Sequence, residues 1–251
     1  MGLENGEVYL NGSAKVMVMS KKDQMKTMSL DGKTVLVTGA AGVLGRSVCR
    51  ELVKNGANLI IWGRDIEKLE EVKVELGSQV VETVACDLSD EKTVQKNIKY
   101  ACSQFHVDGI IHMAASSLNN ISAVDPENIQ ELKKHFEVGV IALQILVNEM
   151  MQKRVAKSDG FITAVLTEGV FDAPPANMSA YISSKMAIWG LIKSYAKELG
   201  PLGIRCNAIS PGLMETPYSS KISISAKKIE EASNPMRRIC NPHDVARTIC
   251  F

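Results

Sequence analysis

Residues 34–45 read TVLVTGAAGVLG, a run of β-branched and apolar residues that passes directly into a glycine-punctuated turn. TVLV has the composition of a short buried strand, and over residues 43–55 apolar side chains recur at helical spacing. The glycines therefore lie at a strand-to-helix turn. There Gly39 allows the tight turn, Gly42 lets a bound group approach the backbone, and Gly45 lets the helix pack close to the strand. A helix N-terminus so placed offers free amides and partial positive charge, the setting for a pyrophosphate, which makes Gly39, Gly42, Leu44 and Gly45 the candidate dinucleotide contacts. The same alternation continues along the chain: NLIIW then a helix period over 65–76, VVETVA then 91–104, GIIHMA then 126–151, GFITAVL then 179–199, and finally IRCNAIS. Six strand runs apolar on both faces and separated by helices predict one doubly wound α/β domain with a parallel sheet covered on both sides.

The 251 residues suffice for one such domain without disulfide or metal support. Lys and Arg number 29 against 28 Asp and Glu, a net charge of +1, which excludes a global footprint for nucleic acid or a membrane surface. The six cysteines form no CxxC and no metal-ligand spacing, and they sit in apolar segments. That pattern predicts a cytoplasmic protein with free thiols and no bound metal. No apolar run reaches the length of a membrane span. Residues 1–30 differ from the rest in their Met, Lys and Ser content. Within them residues 7–19 place Asn11-Gly12 between VYL and KVMVM, so an appended β-hairpin is expected there.

The second strand run ends in Ile61-Trp62-Gly63-Arg64-Asp65. Gly63 stands where a carboxylate would hold a ribose 2′-hydroxyl, while Arg64 can fork onto a 2′-phosphate, so NADP is favoured over NAD. Asp87-Leu88, after the third strand, offers a carboxylate for the adenine amino group. Of the five tyrosines, Tyr181 alone has a lysine four residues on, in Tyr181-Ile182-Ser183-Ser184-Lys185. That spacing puts phenol and ammonium on one helix face, roughly 5–6 Å apart at Cβ. An unperturbed phenol titrates near 10, so proton transfer near neutrality asks for a shift of about 3 units, roughly 4 kcal/mol. Lys185 and a nicotinamide's positive ring are the expected sources.

TGAAGVLG, CDL, YISSK and NAISPGLMETP (residues 207–217), in this order, resemble the short-chain dehydrogenase/reductase family of Rossmann-fold NAD(P) oxidoreductases over residues 31–251. The resemblance implies that Tyr181 exchanges a proton with the substrate oxygen, and that Lys185 binds the nicotinamide ribose and lowers the Tyr181 pKa. It implies further that Ala114, Pro211, Gly212 and Thr216 contact the cofactor. The substrate would be a small molecule with a carbonyl or alcohol group, and the protein a homo-oligomer paired through the helices after strands four and five. Four departures stand out. The spacing TGxxGxxG and His112-Met113-Ala114-Ala115 resemble the family's sugar-nucleotide branch. Thr167-Glu168 occupies the place of the substrate-orienting Ser, with Thr167 the hydroxyl able to donate the same bond. Gly139 aligns with the relay Asn, and the last strand of the family is expected to be missing from the sequence up to Phe251. Two other functions fit parts of this pattern: a cofactor-binding scaffold without turnover, and a nucleotide-sugar epimerase or dehydratase. His112 and His135 are read as structural, and Lys221, Lys227, Lys228, Arg237 and Arg238 as a solvated basic face.

Overall fold

A computed structural model describes residues 29–153, 159–171, 174–216, 219, 222 and 224–250, together with the backbone of Leu3–Glu4, Glu7–Leu10 and Ala14–Met17. The strands of the main sheet are β1 (Thr34–Thr38), β2 (Asn58–Gly63), β3 (Val80–Ala85), β4 (Val107–His112), β5 (Gly160–Val165) and β6 (Ile204–Ile209). All neighbouring pairs are parallel, in the order β3-β2-β1-β4-β5-β6. The order reverses between β1 and β4. In an open α/β sheet that reversal opens a crevice at the carboxyl ends of the strands, where ligands bind.

The helices between the strands are α1 (Val43–Lys54), α2 (Ile66–Leu76), α3 (Glu91–Gln104), α4 (Asn128–Phe136), α5 (Ala142–Lys153) and α6 (Ser179–Leu199). Strand alternation sends successive side chains to opposite faces. Leu36, Ile60, Trp62, Ile110 and Ile162 pack with Val94, Ile98, Leu143, Leu146 and Ile188 from α3, α5 and α6. Val35, Val37, Leu59 and Ile61 pack on the other face with Val48, Leu52 and Leu69 from α1 and α2. After β6 come α7 (Ile224–Ser233) and α8 (Pro242–Ile249), and Ala246 of α8 closes the second face. No described helix is long and apolar enough to cross a membrane.

The structure corrects two boundaries. The helix expected over residues 126–151 is two helices joined by a π-turn at Glu137–Ile141, with Gly139 buried at its centre. Glycine holds a helix weakly, and a Cβ at Gly139 would stand 3.1 Å from Ile188 Cδ1, so close packing against α6 is what the turn accommodates. The fourth strand ends at His112 instead of running through GIIHMA, because the amides of Met113 and Ala114 turn inward to Thr38 Oγ1 at 3.2 and 3.3 Å. At the sheet's end, β6 pairs with β5 and no other described strand. The backbone of Glu7–Leu10 and Ala14–Met17 pairs antiparallel, Leu10 opposite Ala14. The Asn11-Gly12 turn between them lies outside the described residues.

Candidate functional site

The first βα turn forms a cradle from backbone alone. Gly39 has φ +73°, a conformation L side chains rarely adopt, and a Cβ there would stand 3.1 Å from the Ala114 amide nitrogen. At Gly45 a Cβ would lie 2.2 Å from Gly39 O and 2.6 Å from Ala40 O. The N-cap of α1 is Gly42, which offers no side-chain acceptor, whereas α2 and α3 are capped by Asp65 and Asp90. The first-turn amides at Val43, Leu44 and Gly45 are thereby left to a ligand. Chemically this cradle fits the pyrophosphate of a dinucleotide.

Beside it, Arg64 is exposed at the end of β2. Asp65, one residue on, is already engaged: it accepts from Lys68 N at 3.2 Å and pairs with Lys68 Nζ at 3.0 Å. Asp87 Oδ1 accepts from Ser89 N and Ser89 Oγ at 3.0 and 2.8 Å. Those bonds, and the nearby Arg64, hold its carboxyl below the usual range. The Leu88 side chain is buried in the core.

At the end of β5 the structure brings Thr167, Tyr181 and Lys185 together. The Thr167 side chain lies close enough to the Tyr181 phenol to act on its ionisation. Lys185 Nζ lies 5.6 Å from the centre of the Tyr181 ring and donates to Val165 O at 2.6 Å. Burial pulls the Lys185 amine down to about 8. It pushes the Tyr181 phenol up to about 12, with Thr167 pulling the other way. Lys185 is not among the groups that shift the phenol in this arrangement. His112, 1% exposed, shares a 2.9 Å hydrogen bond between Nδ1 and Thr38 Oγ1. Because that hydroxyl also accepts from two amides, its own proton goes to Nδ1 and the ring is neutral. Burial, with the Lys185 charge adding, holds His112 down at about 3.

The loop after β6 closes the far side. Pro211 O accepts from Glu168 N at 3.0 Å, and a Cβ at Gly212 would stand 3.0 Å from Glu168 Oε2. Thr216 N donates to Ser219 Oγ at 3.1 Å. Of the basic residues beyond, Arg238 pairs with Asp244 at 2.7 Å and Lys228 is exposed on α7, while Lys221 lies outside the described residues. Sequence reading missed one feature of this site. His135 is buried against Tyr181, ring centroids 5.7 Å apart at 67°. The i,i+4 pair Glu131–His135 was a legible signal, but its burial was not.

The family profile described as Enoyl-(Acyl carrier protein) reductase matches residues 39–251. Oxidoreductase UcpA of Escherichia coli K12 is 30% identical over 233 residues, 88% of each chain. Among solved structures, 3-ketoacyl-(acyl-carrier-protein) reductase from Brucella melitensis, complexed with NADH, is 28% identical with a TM-score of 0.79, over 89% of this chain and 91% of that one. A Beutenbergia cavernae protein described as an NAD(P)-dependent gluconate 5-dehydrogenase, with bound NADP, is 25% identical at the same TM-score, over 89% and 90%. With its reversed-order parallel sheet and these matches, the chain belongs to the short-chain dehydrogenase/reductase family of Rossmann-fold oxidoreductases.

Proposed function

We propose that the protein is an NADP(H)-dependent carbonyl reductase, or an alcohol dehydrogenase in the reverse direction, acting on a small molecule. The observation that carries this reading is Lys185 buried with its Nζ 5.6 Å from the centre of the Tyr181 ring, with the Thr167 side chain beside the phenol. A bound nicotinamide supplies or accepts the hydride. The protein's part is to hold the substrate oxygen on the Thr167 hydroxyl while Tyr181 passes it a proton, which completes the conversion of C=O to CH–OH. Lys185, donating to Val165 O, is kept at the base of this pair.

The cofactor would lie with its pyrophosphate on Gly39, Gly42, Leu44 and Gly45, its adenine near Asp87 and Leu88, and its nicotinamide half near Ala114, Pro211, Gly212 and Thr216. Preference for NADP rests on the exposed Arg64 and on Asp65 being engaged at the α2 N-terminus. We assign residues 31–251 to the nucleotide-binding domain and residues 1–30 to an appendage. Pairing of two copies through α4–α5 and α6 is the expected assembly. A cofactor-binding protein without turnover is the second reading, favoured by Gly139, which has no relay side chain and abuts Ile188. NADPH fluorescence titration followed by a panel of carbonyls and alcohols separates the two. Binding with turnover supports the reductase, and binding without turnover across the panel overturns it.

A further inference from the structure

Helix α4 buries two titratable side chains that the reductase reading leaves unused. Glu131 is 7% exposed and His135 3%, one turn apart on the same face. His135 Nε2 lies 3.4 Å from Glu131 Oε1, and Glu131 Oε2 accepts from Asn119 Nδ2 at 2.9 Å. Oε1 has no formed hydrogen bond among the described residues. A carboxylate taken out of water and only half satisfied is costly, so its retention calls for a reason other than stability.

The reason lies one contact away. The imidazole meets the Tyr181 ring edge-on, and α4 is tied to the start of α6 a second time, where Asn128 Nδ2 donates to Ser179 Oγ at 3.1 Å. Thr167 acts on the phenol's oxygen, and His135 contacts its ring. The charged groups facing the imidazole are Glu131 and Lys134 from its own helix and Lys185 from α6. Burial and the two lysines disfavour the imidazolium, and Glu131 supports it, with the net effect downward from the ordinary histidine value. At neutral pH the ring is therefore an uncharged spacer whose Nε2 faces the carboxylate at 3.4 Å.

We propose that Glu131 and His135 are positioning residues for Tyr181. The carboxylate orients the imidazole, the imidazole holds the phenol ring so that its oxygen stays on Thr167, and Asn119 links the pair to the loop between β4 and α4. This rests on the reading of Tyr181 as the proton-transfer group.

The test uses the full chain labelled with ¹³Cζ-tyrosine, the Tyr181 resonance being assigned by its loss in Tyr181→Phe. Wild type should show, besides phenol ionisation, a small inflection in the Tyr181 signal where His135 takes its proton. Glu131→Gln should move that inflection down by about 1 pH unit or more, since the imidazolium loses its supporting charge. His135→Phe should abolish the inflection yet keep the phenol titrating high, because the ring contact is preserved. His135→Ala should admit water and lower the Tyr181 ionisation by about 1 unit. Absence of the inflection in wild type, together with unmoved Tyr181 ionisation in His135→Ala, overturns the proposal. Should His135→Ala fail to fold, an inflection surviving unshifted in Glu131→Gln and His135→Phe overturns it equally. Carbonyl turnover by wild type without the coupling sinks the proposal alone; the coupling without turnover of any carbonyl sinks the reductase reading and leaves the Glu131–His135–Tyr181 link standing.

Discussion

Gly42 and Gly45 stand three residues apart in one motif, and the structure gives an added methyl group opposite consequences at the two positions. At Gly45 a Cβ would sit 2.2 Å from Gly39 O and 2.6 Å from Ala40 O, both backbone atoms that cannot rotate away. Gly45→Ala must push α1 off β1, and overpacking of this kind costs about 1–3 kcal/mol, with the upper end expected against rigid backbone. For a chain of this size each kcal/mol is worth about 2–4 °C, so Tm should fall by about 6–12 °C. Gly42 has φ −72°, open to any residue, and its Cβ would meet Gly39 O at an ordinary 3.4 Å. Gly42→Ala should therefore leave Tm unchanged or raise it slightly, by the roughly 0.4–1 kcal/mol of lost unfolded-state freedom. The same methyl group stands over the uncapped first turn of α1 and keeps a phosphate away, so NADPH affinity should drop at least tenfold, about 1.4 kcal/mol. Thermal unfolding and NADPH fluorescence titration on both variants measure the contrast. Equal Tm losses in the two variants, or wild-type NADPH binding by Gly42→Ala, would refute the cradle.

Three further outcomes are expected. Arg64→Ala should weaken NADPH by about 1–3 kcal/mol, the scale of a charge-assisted bond, and leave NADH binding nearly unchanged; equal losses in paired titrations would remove the NADP assignment. Tyr181→Phe should cut turnover 10²–10⁴-fold, roughly the usual worth of acid–base catalysis, with NADPH affinity preserved. Unchanged turnover in that variant would exclude Tyr181 from proton transfer. His112 is held at about 3, below its ordinary 6.5, so the unfolded chain takes up the proton first and stability is lost as pH falls from about 6.5 toward 3. Between pH 6.5 and 5 urea unfolding should show a loss of about 2 kcal/mol from His112, with His135 adding to it, and His112→Asn should flatten the slope; a flat wild-type profile would contradict the burial argument.

The sheet was legible because its four central strand runs are apolar on both faces, a pattern set by local sequence. Val35, Leu36 and Val37 go to alternate faces as their spacing requires. The π-turn was not legible, since its position depends on Ile188, nearly fifty residues away, pressing on Gly139. Likewise the end of β4 is decided by Thr38, whose hydroxyl collects the amides of Met113 and Ala114. In the site, Tyr181 and Lys185 announce themselves by i,i+4 spacing after an apolar strand, and Thr167 only through the family resemblance, which places a substrate-orienting hydroxyl there. Glu131 and His135 have the same spacing, but the sequence reads His135 only as a structural residue and does not place the pair against Tyr181. Only the packing of α4 on α6 buries them.

Burial also changes the energetics expected of Tyr181. From the sequence the phenol needed about 3 units of lowering to ionise near neutrality; placed in the fold it titrates at about 12, so the gap is about 5 units, roughly 7 kcal/mol. Thr167 pulls toward closing it. Lys185 does not contribute to the shift: its Nζ is turned to Val165 O, and burial loosens its own proton to about 8. Left to these groups, Tyr181 stays protonated throughout the neutral range. A protonated phenol is the form required to give a proton to a carbonyl oxygen as it becomes an alcohol, whereas oxidation of an alcohol needs the phenolate. On the proposed reductase reading, these groups would favour reduction at neutral pH, with oxidation strengthening only as the medium becomes alkaline. Reduction that increased with pH up to and beyond the ionisation of Tyr181 would contradict this, since the group would then be acting in the form that has no proton to give.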